Sequence, residues 1–145
     1  EGKTLGVVGL GAIGVMVADI VTEILGLEAD PGFNGSRKGI LNPQELGIEE
    51  YNALIKENPA YGTVICRCET VTEGEIIDAI RRVPGARSID GVKRRTRAGM
   101  GRCQGGFCSP RVLEILAREL GVPMGEITKS GGNSRLIVGV NKDNV

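Results

Sequence analysis

Four cysteines carry whatever inorganic chemistry this 145-residue chain performs, and they are confined to one stretch. Cys66 and Cys68 form C-x-C, 34 residues intervene, and Cys103 and Cys108 form C-x4-C. The sequence contains no histidine and no further cysteine. Four thiolates gathered by a fold hold either an iron–sulfur cluster or a zinc ion. Two disulfides are the competing arrangement. Cys66 and Cys68 are too close to pair easily with each other, so such bridges would have to cross to Cys103 and Cys108. Structural zinc sites usually use C-x2-C or wider knuckles, so this spacing fits a cluster better. Gly99, Gly101, Gly105 and Gly106 supply backbone amides that can approach inorganic sulfide without a side chain in the way.

The elements that must position these thiols follow from periodicity and punctuation. Thr63–Cys66 reads as a short extended segment entering the first pair. Thr72 and Glu75 have capping-box spacing, and Ile76, Ile77, Ile80 and Val83 form the inward face of a helix over 73–83, ended by Pro84-Gly85. Ser88 or Asp90 caps a second helix running to Arg97, which Gly99 closes. Ser109 and Pro110 read as N-cap and first helical residue of a helix to Leu120, with Gly121 after it. Cys108 thereby falls at a helix N-terminus, where the dipole favours a thiolate. Upstream, a helix is expected over about 13–25 and another over 48–57, separated by turn-rich linker from Glu28 to Gly47. Downstream come a short turn at 123–127 and a strand or disordered tail at 135–140.

Composition bounds the rest. Hydrophobic residues make up 41 % of the chain but aromatics only 3 %, so the core must be aliphatic. The 23 glycines indicate many tight loops. No apolar run is long enough to cross a bilayer and no signal peptide is visible, so the expectation is a reducing, cytoplasmic setting in which clustered cysteines are ligands. Net charge is zero but unevenly spread: Arg81–Arg111 holds nine Lys or Arg and one acid, Asp90, whereas Glu1–Ala60 holds nine acids and four bases. Nucleic acid is not the expected partner, since no aromatics interleave the basic run for stacking. Four thiolates on an oxidised two-iron cluster leave about two negative charges for nearby cations to offset. Arg67, Arg94, Arg95, Arg102 and Arg111 are the candidates for that role, and the same run suits an acidic redox partner. Tyr51 and Tyr61 read as packing residues, and no catalytic acid or base is expected.

Gly9, Gly11 and Gly14 match G-x-G-x-x-G after a short apolar run. Asp30 stands near the distance of the acidic partner such a motif needs, but 25–30 is not a buried strand. Too few residues follow for a complete nucleotide-binding sheet. A remnant, without nucleotide binding by this chain alone, is the expectation.

The stretch from Cys66 to about Gly132 resembles the [2Fe-2S] domain of bacterioferritin-associated ferredoxin, found also in the nitrogen-fixation scaffold protein and several flavin oxidoreductases. That resemblance implies a mainly α, small helical domain with ligands on loops between helices, and Cys66, Cys68, Cys103 and Cys108 as cluster ligands. Arg37–Ile40, NPAYGTVICRCETVTEGEI and GVKRRTRAGMGRCQGGFC look like the C-terminal portion of anaerobic-type FAD-dependent glycerol-3-phosphate dehydrogenases. This narrower likeness implies that 1–27 ends a flavin domain, 28–60 is linker with one helix, 61–132 is the cluster domain and 133–145 a tail. It implies an electron relay joining an acceptor protein or quinone-linked subunit to a flavin domain or catalytic subunit, with FAD bound only outside this chain. No catalysis is expected of this piece alone. A Zn(Cys)4 assembly module and a cluster-delivery protein are the other classes to separate from it.

Overall fold

The computed structural model describes residues 39–139, together with Met16, Asp19, Ile20, Glu23, Ile24 and Gly26. Contacts group the chain into two units, Glu1–Lys38 and Gly39–Val145. In the first, Met16, Asp19, Ile20, Glu23 and Ile24 are helical. Gly9, Gly11, Gly14 and Asp30 lie outside the described residues.

The second unit is predominantly helical. Its described elements are α1 (Ile48–Glu57), a short antiparallel pair β1 (Val64–Cys66) and β2 (Val71–Thr72), then α2 (Glu73–Arg81), α3 (Ile89–Thr96) and α4 (Ser109–Leu120). Single 3-10 turns occupy Pro43–Glu45, Pro59–Gly62 and Met124–Glu126. The extended segment expected over Thr63–Cys66 is β1, and its pairing with β2 adds a small sheet to the mainly helical domain. Val64 pairs with Thr72 and Cys66 with Val71, with an irregularity between Val64 and Cys66. β2, two residues long, is too short to show alternation in a sequence.

The capping box at Thr72 and Glu75 is present and buried. The Thr72 backbone N–H and hydroxyl both donate to Glu75 Oε2 at 2.7 Å, and the Glu75 N–H donates back to Thr72 Oγ1. A carboxylate only 6 % exposed is tolerable here because donors satisfy it. α2 stops at Arg81, two residues earlier than its apolar periodicity implies, and Val83 is exposed. Ser88 caps α3 by accepting from the Gly91 N–H. Arg97, rather than Gly99, closes α3, in the left-handed region at φ 67°. α4 begins one residue earlier than expected: Cys108 is its N-cap, and Ser109 and Pro110 lie in its first turn.

α2, α3 and α4 pack against one another around Ile76, Ile80, Val92, Val112, Leu113, Ile115 and Leu116, closed by Ile127 from the segment after α4. Each such side chain contributes roughly 1.5–3 kcal/mol relative to exposure, so aliphatic burial dominates stability. The exposed pairs Arg81–Glu119 and Arg118–Glu73 bridge α2 and α4 but add little. The segment after α4 also supplies the Thr128 and Lys129 carbonyls to the Ile89 and Asp90 N–H groups at the start of α3. Arg135 forms an isolated bridge with Thr128, so only that position of the expected strand is paired among the described residues.

Tyr61 is buried; its hydroxyl donates to Asp78 Oδ2, and its carbonyl accepts from the Tyr51 hydroxyl at 2.8 Å. Burial first, and the Asp78 carboxylate second, raise the Tyr61 pKa well above the ordinary phenol value. A group whose proton is held more tightly in the fold stabilises it below the unfolded pKa, and that stability is lost as pH rises towards the folded value. Chemical denaturation across the range above about pH 10 is therefore expected to show a steeper alkaline loss in the native chain than in Tyr61→Phe. Equal slopes would assign the loss to other groups.

Candidate metal centre

The chain reversal between β1 and β2 carries the first cysteine pair. Cys66 is the last residue of β1, and Cys68 follows in the turn, which Thr70 completes with φ 53°. Cys66 therefore sits in a strand rather than on a loop. The second pair stands at the two ends of a loop of successive turns before α4. Gln104 holds that loop: its amide donates to the Met100 and Gly101 carbonyls at 3.1 and 3.0 Å. Cys108, buried at the start of α4, makes no side-chain cap hydrogen bond, so its sulfur is not engaged in capping.

All four thiols are free and open onto one cavity of 610 Å³, to which Arg67, Arg102, Arg111, Val64 and Phe107 also contribute. Cys68 Sγ lies 3.8 Å from Cys103 Sγ, the edge expected for two thiolates on one metal with bonds of about 2.3 Å. Cys108 has both Cys66 and Cys103 as electrostatic neighbours. Among the described residues, no three His, Cys, Asp or Glu side chains are grouped to hold a single metal ion.

Gly101 permits the approach of the two turns. A Cβ there would lie 2.1 Å from Cys68 Cβ, closer than any real contact. Gly105, at φ +86°, turns the loop so that its own N–H faces the Cys103 sulfur. Backbone N–H groups of Phe107, then of Gly105, hold the Cys103 thiol below its ordinary value, with the Cys68 thiol and the Gly106 N–H adding to the effect. Cys108 goes the other way: burial, then the neighbouring Cys66 charge, push it up to about 11. Burial thus outweighs the helix dipole that favoured a thiolate in the sequence. A metal bound by these thiols would displace their protons.

Three of the five arginines singled out in the sequence line the cavity: Arg67, Arg102 and Arg111, the last paired with Glu114. Arg95 instead donates to the Gly91 and Pro84 carbonyls, and Arg94 lies exposed outside the cavity lining. Two supports went unread in the sequence. Arg97 pairs with Glu69 at 2.8 Å, tying the Cys68 turn to the end of α3. The Gln44 amide donates to the Glu69 and Thr70 carbonyls at 3.2 and 3.4 Å, tying the same turn to the segment before α1. A glutamine after an Asn-Pro turn gives no signal of a partner so far along the chain.

Four free thiols line one cavity of a helical unit, and residues 64–118 match the BFD-like [2Fe-2S] binding domain. The matched segment contains all four cysteines, α2, α3 and most of α4. A curated glycerol 3-phosphate dehydrogenase of Caloramator mitchellensis is 53 % identical over 135 residues, covering 92 % of this chain but 28 % of that protein. Hydrogen cyanide synthase subunit HcnB of Pseudomonas aeruginosa is 46 % identical over 79 residues, half of this chain and 17 % of that protein. In Escherichia coli K12, one polypeptide of the anaerobic glycerol-3-phosphate dehydrogenase is 38 % identical over 66 residues, 46 % of this chain and 12 % of that polypeptide. The chain therefore spans less than a third of the relatives it matches. No solved structure matches it. No described helix is long and apolar enough to cross a membrane.

Proposed function

We propose that Cys66, Cys68, Cys103 and Cys108 ligate a [2Fe-2S] cluster through which this domain relays single electrons between a flavin held outside this chain and an acceptor. The observation that carries the reading is that four free thiols line one cavity, with the Cys68 and Cys103 sulfurs 3.8 Å apart. A two-iron centre takes two thiolates at each iron, whereas one zinc ion gathers all four ligands on itself. The donor set fits: four thiols, with the Gly105, Gly106 and Phe107 amides directed at the Cys103 sulfur. Bound there, the cluster supplies one-electron redox chemistry. The chain holds it, Arg67 and Arg102 offset its negative charge, and the buried Cys66–Cys108 side keeps water from half the site. The names of the relatives support a dehydrogenase as the parent activity, with glycerol 3-phosphate as its substrate. The flavin and the substrate site belong to parts of the enzyme beyond this chain, and the setting is cytoplasmic. Residues 61–132 serve as the cluster module, 28–60 as linker, 1–27 as the end of the flavin domain and 133–145 as a tail.

Anaerobic reconstitution with iron and sulfide tests this. Iron and sulfide bound in equal amounts, visible absorption that bleaches with dithionite, and an EPR signal from the reduced sample are expected. Serine at any one of the four cysteines should abolish or broaden that signal. Zinc bound in preference, with no reduced-cluster signal after reconstitution, would overturn the assignment in favour of a structural Zn(Cys)4 module.

A further inference from the structure

The two cysteine pairs differ in exposure, and the difference gives the site a direction. Cys66 and Cys108 are buried in the helical core, whereas Cys68 is exposed and Cys103 partly so. Around that open side stand two exposed apolar side chains: Phe107 at 87 % and Val64 at 44 %. Phe107 is the larger anomaly, since the sequence has two phenylalanines in all and this one projects into solvent. Its backbone N–H serves Cys103, but its ring is not part of the core. Beside it, Arg67 and Arg102 are exposed and enter no ion pair among the described residues; Glu69 is taken by Arg97, and Glu114 by Arg111.

Resting on the relay reading above, we infer that this face is the docking surface for an acidic redox protein, and that electrons cross at the Cys68–Cys103 edge. An isolated exposed aromatic flanked by arginines is the composition of an interface anchor with a charged rim. The rim carries Arg67 and Arg102, exposed and in no ion pair among the described residues, so the complementary partner carries carboxylates around an apolar socket. Opposite charge steers the encounter, and the small apolar contact fixes the approach of the donor edge. Electron-transfer interfaces are small and short-lived, which suits one aromatic anchor rather than a broad apolar face.

The test uses two protein acceptors of opposite charge, an acidic plastocyanin and a basic cytochrome c, oxidising the reduced, cluster-loaded chain in stopped flow. Plastocyanin is expected to react faster at low salt, and its rate to fall as salt rises. The double variant Arg67→Glu/Arg102→Glu should lose about tenfold of that rate, while Arg87→Glu/Arg94→Glu, the same charge change off the cavity lining, should lose much less. Phe107→Ala should slow the plastocyanin reaction several-fold without altering its salt slope. Equal or faster reaction with cytochrome c, or equal losses in the two double variants, would overturn the inference. Should no cluster assemble, the relay reading fails, and NMR titration of the metal-free chain with the same two proteins decides the face by itself. Plastocyanin-dependent shifts at Arg67, Arg102 and Phe107 would keep it; none, or shifts caused instead by single-stranded DNA, would sink it.

Discussion

Gly101→Ala is expected to yield a folded protein that does not assemble its cluster. The added methyl would lie 2.1 Å from Cys68 Cβ, and that neighbour is a short side chain fixed to the β1–β2 turn, not the yielding end of a long one. The Cys68 turn is held from three sides, by its strand pairing, by Arg97 through Glu69, and by the Gln44 amide. It cannot retreat without breaking one of them. The Cys68–Cys103 sulfur separation must then widen from 3.8 Å, beyond what one iron spans. The three atoms nearest the added methyl all belong to Cys68, so far-ultraviolet circular dichroism should be near native while iron content after reconstitution falls about tenfold or more, as for other changes behind the ligands. Native iron content with an unchanged EPR signal would show that the turns can separate and still bind.

The second large effect concerns the core. Leu116, with no measurable exposure, lies on α4, whose first turn follows Cys108. Truncation to alanine leaves a cavity among α2, α3 and α4, with an expected cost of about 2–5 kcal/mol. A small domain has on the order of 5–15 kcal/mol in hand, so the metal-free variant should be close to unfolding at physiological temperature. Loading the cluster should restore much of this loss, because a ligand bound only by the native state adds its binding free energy to stability. Urea titrations of apo and loaded protein, native and Leu116→Ala, measure both quantities. A loaded variant no more stable than its apo form would mean that the thiols bind equally well in the unfolded chain.

Much of the helical scaffold was legible because its signals are local. The Thr72–Glu75 box, Ser88 before α3, Pro110 in the first turn of α4 and Gly121 after it each act within one turn of helix. The cysteine spacing marked the candidate site, and the four thiols do line one cavity. What escaped is decided by partners distant in sequence. Whether Arg95 serves the sulfurs or the Pro84 carbonyl depends on the direction α3 presents it, and Arg97 took the left-handed closing position that Gly99 was better suited to fill. Gly101 looked like one loop glycine among several; only the approach of a turn 33 residues earlier makes it indispensable. Nothing local marks Phe107 as exposed, because an apolar ring in a small aliphatic domain is ordinarily core material.

Gln44 lies twenty residues before the matched segment, and Ile127, with its neighbours Thr128 and Lys129, lies beyond the end of it. The portable unit is therefore larger than its recognisable signature. Recombination that spliced the signature alone into another enzyme would leave the Cys68 turn untethered and the start of α3 without its carbonyl partners. Inheritance of this module between oxidoreductases has to carry both flanks along with the cysteines.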